Sequence, residues 1–142
     1  SPDGAYIVRT LPPTLTDLSV VVTSVSTSQP VARFRPAVLA GAAAYQTGYP
    51  IFTPGGELIY LMAYGPVGAR QYRVILGNLV TGEQQILAEL GAENYRPLGW
   101  AGDGQVLLLT REGLYDTWQL DTRTSRLRQI AGMQFLGVID QP

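Results

Sequence analysis

The sequence predicts an all-β chain assembled from a repeated, four-stranded antiparallel unit. Three observations predict it. A glycine-closed turn recurs along the chain, as "SPDG" from Ser1, "TPGG" from Thr53 and "AGDG" from Ala101. Short apolar runs follow each turn. Finally, 16 Gly and 10 Pro are spread over 142 residues with no long run of helix formers, a pattern that favours many short strands.

The turns have a physical logic. Pro2 and Pro54 suit the first central position of a type I or II turn, because the ring fixes φ near −65°. Gly4, Gly56 and Gly104 supply the positive φ that closes it, and they stand 52 and then 48 residues apart. After each turn comes an apolar strand: "AYIVRT" from Ala5, "ELIYLMAY" from Glu57, "QVLLLTR" from Gln105. The unbroken apolar runs Leu58–Ala63 and Val106–Leu109 predict burial on both faces. A more mixed second strand follows, "LSVVVTSVS", "YRVILGNLV" or "YDTWQLDTR", placed nearer the rim. The tight turns "VTGEQ" and "RTSRL" lead into a third, short strand: "QQILAEL", "RLRQI", and "PVARF" in the first copy.

The fourth strand of each unit precedes its turn, as "GYPIF" before "TPGG" and "RPLGW" before "AGDG". "QFLGVIDQP" at the C-terminus repeats the pattern, with Leu136 and Gly137 over Leu98 and Gly99. The units therefore run over about 1–52, 53–100 and 101–142 of a single domain. A recurrence of 40–50 residues is that of propeller blades. Three such wedges do not close a ring, and a wet blade face costs about 25 cal/mol per Å² of apolar area. Two expectations follow: the chain is a fragment of a larger propeller, or two copies pair into a six-bladed homodimeric ring. In the ring, "QFLGV" of one copy would complete the unit that begins at Ala5 of the other.

The rhythm of an aromatic residue, the Pro-Asp-Gly-type turn and a later Thr-Gly resembles the TolB-like, WD-repeat-like propeller repeat, which also occurs in the propellers of prolyl-oligopeptidase-like enzymes. The residues that carry it are Phe52 with "TPGG", Trp100 with "AGDG", Ser1–Gly4, and "VTGE" at Val80–Glu83. The second turn departs from the pattern with Gly55 in place of Asp, and the third with Ala101-Gly102 in place of Ser-Pro. The resemblance implies rings of four-stranded blades, protein docking with some sugar or peptide handling, and an extracytoplasmic setting.

Composition removes several classes of chemistry from this chain. With no Cys, His or Lys, it holds no Ser–His–Asp triad, Cys–His pair, Ser–Lys dyad or zinc–sulfur site. No phosphate-cradling Gly-rich loop precedes a helix, and no alternating Asp/Asn run suits calcium. Net charge is −1, which leaves no field for nucleic acid. All ten cationic residues are Arg, a bias of composition rather than of function. "PAVLAGAAAY" is too short for the roughly 20 residues of a bilayer span, so no membrane insertion is expected. Ser1–Thr10 lacks the charged start and apolar length of a secretion signal. Glu89, Glu93 and Glu112 are scattered loop carboxylates. Asp116 and Asp121, five apart on a strand, would face opposite sides. Asp103 reads as turn chemistry. No catalytic residue, metal or cofactor is expected.

What remains is a binding surface. The loops Leu11–Asp17, Tyr64–Gln71 and Arg111–Tyr115 would share one face with Pro36–Gly48, Ala88–Arg96 and Gly132–Gln134. That gathers Arg9, Arg70, Arg96 and Arg111 with Tyr45, Tyr49, Tyr64 and Tyr95, residue types enriched at binding hot spots. The same residues also suit a solvated rim. Pro36–Gly48, the longest and most apolar connection, would fold as an Ala-rich turn over a hydrophobic gap or clip onto a partner. Phe52 and Trp100 would serve as sugar platforms or, as their place in the repeat favours, as core. The chain is thus expected to be a non-catalytic scaffold for protein binding, its partner another protein or the remainder of its own polypeptide. The alternatives are a regulatory propeller portion of a hydrolase and a carbohydrate-binding propeller with Tyr64 and Trp100 at the site.

Overall fold

The computed structural model describes residues 1–11, 18–36, 44–66, 68–102, 104–114 and 116–132. Their regular structure is entirely strand. β1 (Tyr6–Thr10), β2 (Val20–Ser24) and β3 (Pro30–Phe34) form the first sheet. β4 (Ala44–Phe52), β5 (Leu58–Tyr64), β6 (Gln71–Gly77) and β7 (Gln84–Gly91) form the second. β8 (Tyr95–Ala101), β9 (Val106–Arg111), β10 (Thr117–Asp121) and β11 (Arg126–Ala131) form the third. Every sheet is an antiparallel meander in chain order.

The first sheet holds three strands where four were expected, because the strand that would precede β1 has no counterpart among the described residues. A second departure concerns Pro36–Gly48. Residues 37–43 of that stretch lie outside the description, but Ala44–Gly48 is strand, not loop. The stretch Ala44–Gly48 gives no alternating apolar signal. What holds them is the long partner β5, against which Gln46, Thr47 and Gly48 pair with Ala63, Met62 and Leu61. The expected loop Leu11–Asp17 (from residue 12), the terminal strand "QFLGV", Asp103 and Tyr115 also fall outside the described residues.

Side-chain alternation along β5 holds the stack together. Leu58, Tyr60 and Met62 pack with Val20, Val22, Phe34 and Ile75, against the first sheet. Ile59 and Leu61 pack with Val74, Leu90, Leu107, Leu109 and Leu120, against the third. Successive residues of a strand point to opposite faces, so a run that is apolar at every position is what a sheet with two dry faces requires. β1 has the other pattern. Tyr6 and Val8 join the core while Ile7 stays 60% exposed, because its outer face meets no other sheet among the described residues.

The turns repeat as the strands do. Gly4 N–H donates to Ser1 O (3.0 Å) and Gly56 N–H to Thr53 O (2.9 Å). At the β6–β7 hairpin Asn78 Oδ1 accepts from the N–H groups of Val80 and Thr81 (2.8 and 3.0 Å). Asp121 does the same for Arg123 and Thr124 at β10–β11 (3.0 and 2.9 Å). Asp121 is therefore turn chemistry, the side-chain turn that Asn and Asp favour.

Candidate functional site

Antiparallel meanders sort their connections into two ends. The β5–β6, β7–β8 and β9–β10 loops share one end with the start of β4. The Pro/Gly turns and the tight hairpins occupy the other.

At the loop end, Arg111 is fixed from several sides. Its Nε and Nη2 donate to Asp116 Oδ2 (2.6 and 2.5 Å), its backbone N–H donates to Asp116 Oδ1 (3.2 Å), and Glu93 lies 3.8 Å from Nη1. Its guanidinium sits 5.2 Å from the Trp118 ring centroid. Tyr95 packs edge-on against the same indole, at 5.6 Å, and is buried, which pushes its phenol up. Tyr95 therefore offers no surface to a partner, and Arg111 acts as a brace across the β9–β10 loop. The spacing of five residues that separates Asp116 from Asp121 hid this, because Asp116 lies in the loop before β10.

Burial pushes the Asp116 carboxyl up, but the surrounding hydrogen bonds, those of Arg111 foremost, outweigh it and hold the carboxyl below its ordinary 3.8. The folded state thus takes up this proton less readily than the unfolded chain. Its contribution to stability is complete above pH 3.8 and is lost as pH falls through the depressed value. Asp116→Asn is expected to lower the melting temperature at pH 7 and to flatten its fall below pH 4. Melts from pH 7 to pH 2 check this, and an unchanged acid profile would contradict it.

Tyr64 is similarly engaged. Its hydroxyl donates to Glu89 Oε2 (3.0 Å), and the Arg73 guanidinium lies 3.8 Å from its ring centroid while Arg73 Nε donates to Glu89 Oε1 (2.7 Å). Burial first, and then the Glu89 carboxylate, push the Tyr64 phenol up. Arg73 was not among the expected residues, since a mid-strand Arg carries no loop signal. The carboxylates Glu89, Glu93 and Glu112 have separate partners in Arg73, Arg111 and Asn94. No group of three acidic side chains is placed to hold a metal ion among the described residues.

Two expected residues do meet. Tyr49 and Arg70 line one cavity of about 290 Å³ with Gln46, Tyr72, Asn94 and Glu112, over a floor of Leu61 and Ala63. It opens where β4 faces the β7–β8 and β9–β10 loops of the next sheet. Tyr49 sits at a break in the β4–β5 register between Gly48 and Ile51 and has φ +52°, a left-handed backbone for a bulky residue. Arg96 is exposed at the start of β8, and Arg9 is exposed near the end of β1, away from this cavity. Tyr45 lies on β4, its side chain outside the description.

Two further cavities lie toward the hairpin end. One, of about 360 Å³, runs along Glu57, Asn78, Glu83 and Gln84, with no aromatic ring among its described lining residues. The other, of about 270 Å³, lies between Trp100, Leu87 and Thr122. Trp100, expected as core or platform, packs into the interface of the second and third sheets and donates its indole N–H to Phe52 O (2.8 Å).

No protein-family model matches the chain, and no curated protein does. Among solved structures it is similar to TolB from Acinetobacter baumannii, with a TM-score of 0.60 and 16% identity over 90% of this chain. The match covers 30% of that protein, so the chain spans less than a third of it. The turn-and-strand repeat and the stacked antiparallel meanders agree with this likeness: the chain has a TolB-like fold.

Proposed function

We propose that this chain is a non-catalytic propeller module that binds another protein at its loop end. The observation that carries the reading is the exposed surface there. Tyr49 and Leu114 are 41% and 48% exposed, and Arg9 and Arg96 are exposed without an ion pair among the described residues. Aromatic rings and arginines of this kind are the usual anchors of protein interfaces. The absence of His, Cys and Lys supports the non-catalytic part of the reading.

The open side of β1 supports a further part of it. Ala5 O accepts from Val25 N–H (2.9 Å) and Leu11 N–H donates to Ser19 O (3.1 Å), so the odd residues face β2. Tyr6, Val8 and Thr10 then direct their backbone groups the other way. Ser1 occupies those of Tyr6, through its hydroxyl (2.8 Å) and its amino group (2.7 Å). In the other sheets β4 and β8 fill that side of β5 and β9. A strand from the remainder of a larger ring, or from a second copy, would fill it here by backbone pairing.

One experiment tests both parts. A photo-crosslinking residue is placed at Arg96 or Leu114 on the loop end, at Ile7 on β1, and at Val80, 94% exposed on the hairpin end. Protein adducts at the loop end and not at Val80 are expected. Self-adducts at Ile7 support the paired ring. Equal labelling at Val80, or none at the loop end, overturns the docking face.

A further inference from the structure

We infer that the cavity between β4 and the loops of the third sheet binds a neutral saccharide unit, with Tyr49 as the ring that stacks on it. This goes beyond the docking face, because it assigns a small-molecule site with its own chemistry. Three observations converge.

The first is the backbone of Tyr49. A tyrosine at φ +52° adopts a conformation that Gly or Asn takes far more readily. The residue is 41% exposed, so core packing does not account for the choice of a tyrosine. Backbone outliers held by their surroundings cluster at ligand clamps, and register breaks re-aim side chains next to binding sites.

The second is size. About 290 Å³ lies at the small end of ligand cavities, enough for a sugar ring and too little for a folded segment of protein.

The third is the lining. Arg70 and Glu112 place one formal charge of each sign on the wall, so neither an anion nor a cation gains from the site as a whole. Gln46 and Asn94 present planar amide donors, and Glu112, which accepts a hydrogen bond from Asn94, presents carboxylate acceptor capacity. Tyr49 and Tyr72 add flat rings with a polar tip. A sugar has hydroxyls that both donate and accept around a face of C–H bonds, and it satisfies this mixture. Tyr64, one of the rings expected at a sugar site, is covered by Arg73, and the indole N–H of Trp100, the other, is given to Phe52.

The test is titration of the folded chain, its melt recorded first, with glucose, galactose, N-acetylglucosamine and their disaccharides. Binding is read by saturation-transfer NMR and intrinsic fluorescence. Glutamate and lysine serve as charged controls. At least one neutral sugar is expected to saturate while the charged probes do not. Tyr49→Phe keeps the ring and is expected to bind like the parent chain. Tyr49→Asn removes the ring at a position whose backbone Asn accepts. It is expected to melt no lower than the parent and to bind about tenfold more weakly. Failure of every neutral sugar to saturate, equal response to the charged probes, or undiminished binding by Tyr49→Asn would overturn the assignment. None of these outcomes bears on the crosslinking result at Arg96 and Leu114.

Discussion

Replacing Phe34 by Ala is expected to lower the unfolding free energy by about 3–5 kcal/mol, a large part of the 5–15 kcal/mol that holds an ordinary domain folded. Phe34 ends β3, is 1% exposed, and inserts its ring into the second sheet beside Tyr60 (centroids 6.4 Å apart). The insertion is possible because residue 77 has no side chain. A Cβ built on Gly77 would stand 2.8 and 2.9 Å from Phe34 Cε1 and Cζ, nearer than real Cβ atoms approach. Gly77→Ala alone should therefore destabilise by about 1–3 kcal/mol through overpacking.

The pair is the sharper experiment. With Phe34→Ala in place the added methyl of Gly77→Ala enters vacated space, so the double variant should be more stable than the sum of the single effects by about 1 kcal/mol or more. Chemical denaturation of the four proteins measures this coupling. Strict additivity would mean that the ring and the glycine do not meet, and the seam between the first two sheets would need another explanation.

The sequence carried the strands better than the surface between them. "PVARF" is β3 residue for residue, and "QQILAEL" is β7 less one residue. An apolar position is legible in β5 because every side chain from Leu58 to Ala63 is buried, whichever way it points. β4 begins before its apolar signal does, since Ala44, Gln46 and Gly48 are held by pairing with β5 rather than by their own side chains. The candidate site was legible as a gathering of Arg and Tyr types at one end. Which of them were available was not. Tyr95 is buried by Trp118, and Arg111 is taken by Asp116 across a loop. Tyr64 is taken by Arg73 and Glu89 from the neighbouring strands. These pairings depend on strand register, which residue types do not encode. The positive φ of Tyr49 was equally hidden, because nothing in "GYPIF" announces a residue in a conformation unsuited to it.

The recurring turn was the strongest signal in the chain, and its glycines are expected to differ sharply when replaced. Gly56 and Gly104 occupy matching places with φ +87° and +84°, so an Ala at either incurs about 1–2 kcal/mol for the left-handed backbone. Around Gly56 there is open space. At Gly104 a Cβ would stand 2.6 Å from Pro54 Cγ and 2.9 Å from Pro54 Cδ. The third turn is thus nested on the proline of the second, and overpacking adds about 1–3 kcal/mol there. Gly104→Ala should consequently unfold at lower denaturant than Gly56→Ala. Pro54→Ala should narrow the gap, since it removes the two nearest atoms and leaves only Pro54 Cβ, at 3.2 Å. Equal losses at the two glycines would show that the turns do not nest. The Trp100 N–H reaches back to Phe52 O at the same seam. Phe52 and Pro54 of the second turn therefore meet Trp100 and Gly104 of the third at one seam, with Gly104 the position where that seam leaves no room for a side chain.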